Sequence, residues 1–251
     1  MMSPSRKALE SSHEPEAIRK RLEDEQDHSY LSDGVLGAID GGVTTFAVVS
    51  GVVGGGLTAG VALILGFANL LADGFSMAAS NYQATKSTRE HAEEVRRCEA
   101  EQIDQIPEGE REEIRQIYAR KGFEGEALEH AVDVITSDKE LWIDTMLQEE
   151  YGLPLETPSP FKAAAVTFFA FLAAGLVPLL PFVVQPDAAV GDTFPYSIGL
   201  TALTFAGIGL LKGKALNQSM LRAGLETLFV GGAAAAIAYL VGKILRGFVG
   251  V

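Results

Sequence analysis

Five apolar runs, each close to the length a helix needs to cross a bilayer, constrain this chain more than any other feature. They are Val35 to Val53, Leu57 to Ala79, Ala163 to Val184, Phe194 to Leu211 and Ala223 to Val241. Crossing about 30 Å of hydrocarbon takes roughly 20 helical residues. The hydrophobic residues (47%) and the charged ones (21%) are segregated along the chain. The expected fold is therefore an all-α membrane protein with five transmembrane helices and a three-helix cytoplasmic metal-binding insert between the second and third. The expected divisions are a cytoplasmic tail over residues 1–30, helices one and two over 31–83, the insert over 84–160 and helices three to five over 161–251. Pro178 and Pro181 should kink the third span or end it early.

Lys and Arg set the orientation. The tail carries Arg6, Lys7, Arg19, Lys20 and Arg21, the insert carries Lys86, Arg89, Arg96 and Arg97, and the fourth connection carries Lys212, Lys214 and Arg222. All three are expected to be cytoplasmic, with the C-terminus outside, although Lys243 and Arg246 at that end run against the rule. No cleavable signal peptide is expected, because the first thirty residues are charged and lack a continuous apolar core. The single cysteine, Cys98, excludes an intrachain disulfide.

Within these apolar runs two carboxylates stand out, Asp40 on the first and Asp73 on the second. A carboxylate at such depth costs about 2.5–3.5 kcal/mol on insertion scales, so it tends to face a bundle interior or a cavity and to mark a pathway. Asn69, Asp73 and Met77 recur every four residues and stack an amide, a carboxylate and a thioether on one helix face. Asp40 is followed by Gly41 and Gly42, which permit close helix approach, and by Thr44 one turn further on the same side. Glu226 is either a ligand or an interfacial charge beside Arg222.

The insert holds 20 of the 33 Asp and Glu residues. It reads as three helices, Thr85 to Ile106, Glu110 to Arg120 and Glu124 to Tyr151, separated by Pro107-Glu108-Gly109 and Lys121-Gly122. Glu90, Glu93, Glu94, Glu101 and Asp104 return to one helix face and form a stripe of carboxylates. Such a stripe is either a solvated face offset by Arg89, Arg96 and Arg97 or a cation site. Met146 and Glu150, one turn apart, favour a borderline transition metal, since a thioether suits such an ion better than Ca²⁺ or Mg²⁺. His91 is a further candidate beside them. The residue types admit Fe²⁺, Mn²⁺, Co²⁺, Ni²⁺ or Zn²⁺, and no other cofactor and no nucleic-acid partner are expected; the net charge of −13 says little by itself, and its acid lies mainly in the insert.

These residues resemble the vacuolar iron transporter family over nearly the whole chain. The resemblance rests on Asp33-Gly34-Val35-Leu36-Gly37-Ala38-Ile39-Asp40-Gly41-Gly42, on Ala68-Asn69-Leu70-Leu71-Ala72-Asp73-Gly74-Phe75-Ser76-Met77-Ala78, on Pro178-Leu179-Leu180-Pro181 and on the Gly-Gly-Ala-Ala run with Tyr239. It implies export of Fe²⁺, and in some branches Mn²⁺, from the cytosol by proton exchange. It also implies a homodimer whose first spans line the path. By motif position Asp40 and Met77 are the implied transport pair, and Glu90, Glu93, Glu101, Met146 and Glu150 are the implied metal-domain ligands, with Asp104 where a Glu is usual. The chain departs at Ser80-Asn81-Tyr82, where many members carry Gly-Glu-Tyr. The implied membrane is the plasma membrane for a prokaryotic source and a vacuole-like one for a eukaryotic source. The rival reading is a membrane-anchored iron buffer or sensor that moves nothing. An enzyme is not expected, because no catalytic constellation is legible.

Overall fold

The computed structural model describes residues 10–23, 29–215 and 219–249, and among these its regular secondary structure is all helical, with no strand. The elements are α1 (Pro15–Glu23), α2 (Leu31–Gly55), α3 (Ala59–Gln105), α4 (Pro107–Arg120), α5 (Gly125–Thr136), α6 (Lys139–Glu149), α7 (Pro160–Leu176), a 3₁₀ turn (Val177–Leu179), α8 (Leu180–Val184), α9 (Val190–Ala215) and α10 (Met220–Val249). Among the described residues, five stretches are long and apolar enough to cross a membrane: Leu31–Gly55, Ala59–Gln105, Pro160–Val184, Val190–Gly213 and Met220–Phe248. They fall on the five apolar runs. The orienting residues Arg6 and Lys7, and the side chains of Arg21 and Lys214, lie outside the described residues.

Two compact units divide the described chain, Tyr82–Pro160 and the residues on either side of it. In the membrane unit, α2 packs closely on its neighbours because its glycines leave room for backbone. A Cβ at Gly41 would overlap the Phe171 carbonyl of α7, and one at Gly37 would overlap that of Thr167. Val49, Leu70, Phe171, Leu179 and Phe182 form the buried centre of this unit, with Met77 packed against it. The third crossing breaks where the prolines predict: α7 stops at Leu176, Pro178 lies in the 3₁₀ turn and Pro181 opens α8. Gly56 ends α2 with a left-handed φ of 68°. The Arg246 guanidinium lies against this cap, where a cation meets the negative end of the helix dipole, so a charge that fits poorly with the orientation rule has a local structural role.

The expected three-helix insert is corrected in two places. Its first helix does not begin at Thr85 but continues α3 without interruption from Ala59 to Gln105, because no Gly or Pro falls between Gly74 and Pro107 to stop it. Its third helix is two, α5 and α6, parted at Ser137-Asp138, where the Asp138 carboxylate caps α6 by accepting from the backbone N–H groups of Glu140 at 2.9 Å and Leu141 at 3.3 Å. The end of α3 and the three short helices enclose one core of Val95, Ile103, Ile114, Ile117, Val132, Ile135, Trp142, Ile143, Met146 and Leu147. Burying each such side chain contributes about 1.5–3 kcal/mol, which holds these short helices together.

Candidate metal path and metal centre

In the membrane unit, the helix register of α2 and α3 places Asp40, Thr44, Asn69, Asp73 and Met77 at half-buried positions. Asp40 and Asp73, from different helices, lie within electrostatic reach of each other. Met77 stands one turn beyond Asp73 on α3, so the acid pair and the thioether belong to one region. Thr44 donates its hydroxyl proton to the Asp40 carbonyl oxygen at 2.8 Å, which leaves its oxygen lone pairs available. The Asn69 amide nitrogen is buried without a hydrogen-bond partner, an expensive state for a donor. Asp40 also lines a cavity of about 620 Å³ with Ile39, Leu36, Val35 and Lys212. Glu226 pairs with Arg222 one turn away on α10 at 3.0 Å.

Asn81, at the departure from Gly-Glu-Tyr, clasps three helices. Its amide donates to the Asp33 carboxylate of α2 and to the Thr167 hydroxyl of α7, each at 2.8 Å. A glutamate at this position would set a second carboxylate against Asp33, whereas the amide supplies the donors that Asp33 needs.

In the insert the stripe of carboxylates is not gathered into one ligand set. Glu90, Glu93, Glu94, Glu101 and Asp104 are all exposed. Glu90 pairs with Lys86 at 3.5 Å, Glu93 with Arg89 at 2.7 Å, Glu94 with Arg97 at 2.6 Å, and Asp104 with Lys139. Glu101 lies within reach of the Arg97 charge. His91 is exposed, and exposed Cys98 accepts a hydrogen bond from Gln102.

A different acidic group forms on the other side of α3, toward the core. Glu99 and Glu110 are 0% and 1% exposed, and each keeps one carboxylate oxygen with no hydrogen-bond partner. Tyr151 donates its hydroxyl to the other Glu99 oxygen at 3.0 Å. Burial, then the charges of Glu113 and Glu99, push the Glu110 carboxyl up to about 7. Burial, then Glu99, raises Glu113. Burial, then Glu113 and Glu99, raises Glu150. Burial and the Glu99 hydrogen bond push the Tyr151 phenol up as well. Glu99, Glu110, Glu113 and Glu150 therefore act on one another across three segments. Met146 is fully buried one turn before Glu150. Among the described residues no three His, Cys, Asp or Glu side chains already converge at metal-ligand spacing. The carboxylates thus raise one another's proton affinity without three of them standing at metal-ligand spacing.

Of the predicted insert ligands, the structure joins Glu150 to this buried group and leaves Glu90, Glu93, Glu94, Glu101 and Asp104 on the paired outer face. Glu99, Glu110 and Glu113 were not among the predicted ligands, yet the sequence holds a signal for the first two. Glu99 interrupts the buried series Ala92, Val95, Ile103 on α3, and Glu110 continues the series Ile114, Ile117 backward on α4. An acid at a position that helix periodicity assigns to the core is the mark of a buried carboxylate.

Comparison with known proteins agrees with this architecture. The model of the VIT family matches residues 31–243. The chain is 30% identical over 219 residues to vacuolar iron transporter 1 of Arabidopsis thaliana, covering 86% of both chains. It is 33% identical over 229 residues to the vacuolar iron transporter of Toxoplasma gondii, covering 88% of this chain and 76% of the relative. The vacuolar iron transporter of Plasmodium berghei is 27% identical over 228 residues, covering 88% and 84%. With five membrane-length helices, a match over most of its length and relatives that share its extent, the chain belongs to the VIT family, that of the vacuolar iron transporters.

Proposed function

We propose that this chain is a divalent-metal transporter that exports Fe²⁺, and secondarily Mn²⁺, from the cytosol in exchange for protons. The observation that carries the reading is the approach of Asp40 and Asp73 from two different membrane-length helices, with Met77 one turn away. Hard carboxylate oxygens with one soft thioether suit a borderline ion such as Fe²⁺. The names of the relatives, iron transporters all, support the same cargo.

The insert faces the cytosol in this reading, as does the N-terminus, and captures the ion. The exposed carboxylates Glu90, Glu93, Glu94, Glu101 and Asp104 raise the local cation concentration. Glu99, Glu110, Glu113 and Glu150 with Met146 bind the ion, which displaces the proton held at Glu110. The ion then passes to Asp40, Asp73 and Met77, with Asn69 and Thr44 supplying neutral oxygens. On the acidic far side protonation of the path carboxylates weakens their hold, because only the charged form ligates well. Two copies of the chain pack with their α2 helices lining the path. The test is Fe²⁺ flux into proteoliposomes with an acidic lumen. Wild type should accumulate iron and Asp40→Asn should not. Unchanged flux in Asp40→Asn would refute the path.

A further inference from the structure

Tyr151 reaches the buried acid group of the insert, yet ion capture as described above leaves it unused. Its ring is exposed just beyond α6, while its hydroxyl donates at 3.0 Å to Oε1 of the fully buried Glu99. The backbone holds it there. The Tyr151 N–H bonds the Met146 carbonyl at 3.4 Å, Gly152 turns with a left-handed φ of 65°, and the Leu153 N–H bonds the Leu147 carbonyl at 2.9 Å. Leu153 then packs against the insert core. The two oxygens of Glu99 are therefore unequal. Oε1 is engaged by a phenol, whereas Oε2 is buried with no hydrogen-bond partner, in a carboxylate that acts on Glu110, Glu113 and Glu150.

We propose that Tyr151 is a specificity-determining residue of the insert: by engaging Oε1 it restricts Glu99 to coordination through one oxygen and so disfavours Ca²⁺ against Fe²⁺. The inference rests on the reading of Glu99, Glu110, Glu113, Glu150 and Met146 as metal ligands, and adds to it which ion the site rejects. An oxygen that accepts a hydrogen bond already has part of its charge matched and is the poorer ligand of the two. Ca²⁺ fills about six to eight positions with oxygen and readily takes both oxygens of one carboxylate, so an engaged Oε1 costs it a ligand. A smaller transition ion takes fewer ligands, accepts the Met146 thioether and is served by a single Glu99 oxygen. Met146 thus acts against Ca²⁺ through the kind of atom offered, and Tyr151 through the number of oxygens.

The test is equilibrium dialysis of the full-length, detergent-solubilised protein against radioactive Fe²⁺ kept reduced by ascorbate, with Ca²⁺ as competitor, for wild type, Tyr151→Phe, Glu99→Gln and the double variant. Relative to the Kd for Fe²⁺, the Kd for Ca²⁺ should fall about tenfold in Tyr151→Phe, where Glu99 regains its second oxygen. In the Glu99→Gln background the same change should leave the ratio of the two constants where it is. A tyrosine that only supports the fold would weaken both ions alike. An unchanged ratio in Tyr151→Phe, or a shift that persists in Glu99→Gln, would therefore overturn the inference and leave the metal centre standing. Absence of Fe²⁺ binding by wild type would overturn the metal-centre reading and the inference with it. If Tyr151→Phe does not fold, the infrared carboxylate stretches of Glu99 in the Fe²⁺-loaded wild type, assigned by subtracting those of Glu99→Gln, decide. Their separation should be that of one-oxygen coordination, and the separation of two-oxygen coordination would overturn the inference.

Discussion

Glu90, Glu93 and Glu94 share α3 with Glu99, yet the two sets of carboxylates live in different physical worlds. The first three are exposed and each has a basic partner one helical turn away, Lys86, Arg89 or Arg97. Glu99 points into the insert, is fully buried, and meets Glu110, Glu113 and Glu150 with a tyrosine hydroxyl as its hydrogen-bond donor. An exposed pair contributes about 0–1 kcal/mol and has no unmet demand for a cation. Buried carboxylates without one are strained until a proton or a metal arrives. The density of acids along a helix therefore says less about metal binding than the few whose burial leaves them unpartnered.

The largest expected contrast between the sets is in metal affinity. Trp142 is the only tryptophan and sits in the insert core with Met146, so its fluorescence reports on this unit in the full-length, detergent-solubilised protein. Titration with Fe²⁺ should give a Kd about 100-fold weaker in Glu99→Gln/Glu110→Gln, since each ligand lost from such a site costs on the order of tenfold or more. Glu90→Gln/Glu93→Gln should bind within about twofold of wild type.

Next comes the pH dependence of the insert. Glu110 titrates near 4.5 when unfolded and near 7 when folded. The folded state thus holds the proton more tightly, and the stability this proton confers is complete below pH 4.5, declines as pH rises to 7 and is gone above it. Urea unfolding followed by Trp142 in the metal-free protein should lose on the order of 2 kcal/mol over that window. Glu110→Gln, which keeps the hydrogen-bonding shape without the charge, should remove most of the slope. A wild-type profile already flat there would mean that Glu110 is solvated.

A smaller effect is expected at Tyr151→Phe. Glu99 would lose its hydroxyl donor, lowering insert stability by about 1–2 kcal/mol with little change in the membrane unit. The smallest is Glu93→Gln, which breaks an exposed pair with Arg89 and should leave the urea midpoint indistinguishable from wild type.

The membrane half of the fold was legible because its signals are local. Apolar length gives the crossings, and Pro178 breaks the third of them through its missing N–H. The boundaries inside the insert were less legible. A change from apolar to polar composition after Met77 suggests a new helix, but helix continuity depends on the absence of breakers, and α3 runs through the change. The division between α5 and α6 rests on the Asp138 cap, which carries no Gly or Pro to announce it. For the path, four-residue spacing placed Asn69, Asp73 and Met77 on one face, while the approach of Asp73 to Asp40 depends on tertiary packing. In the insert, charge counting favoured the stripe. The periodicity of Val95, Glu99 and Ile103 shows instead which acid turns inward.

The most direct measurement is the initial rate of Fe²⁺ uptake at limiting metal into acid-lumen proteoliposomes, comparing Glu99→Gln/Glu110→Gln with Glu90→Gln/Glu93→Gln. Capture by the buried acids predicts a severalfold fall in the first and a rate near wild type in the second. Loss of uptake in the second with the first unaffected would contradict the account and move metal capture to the exposed stripe.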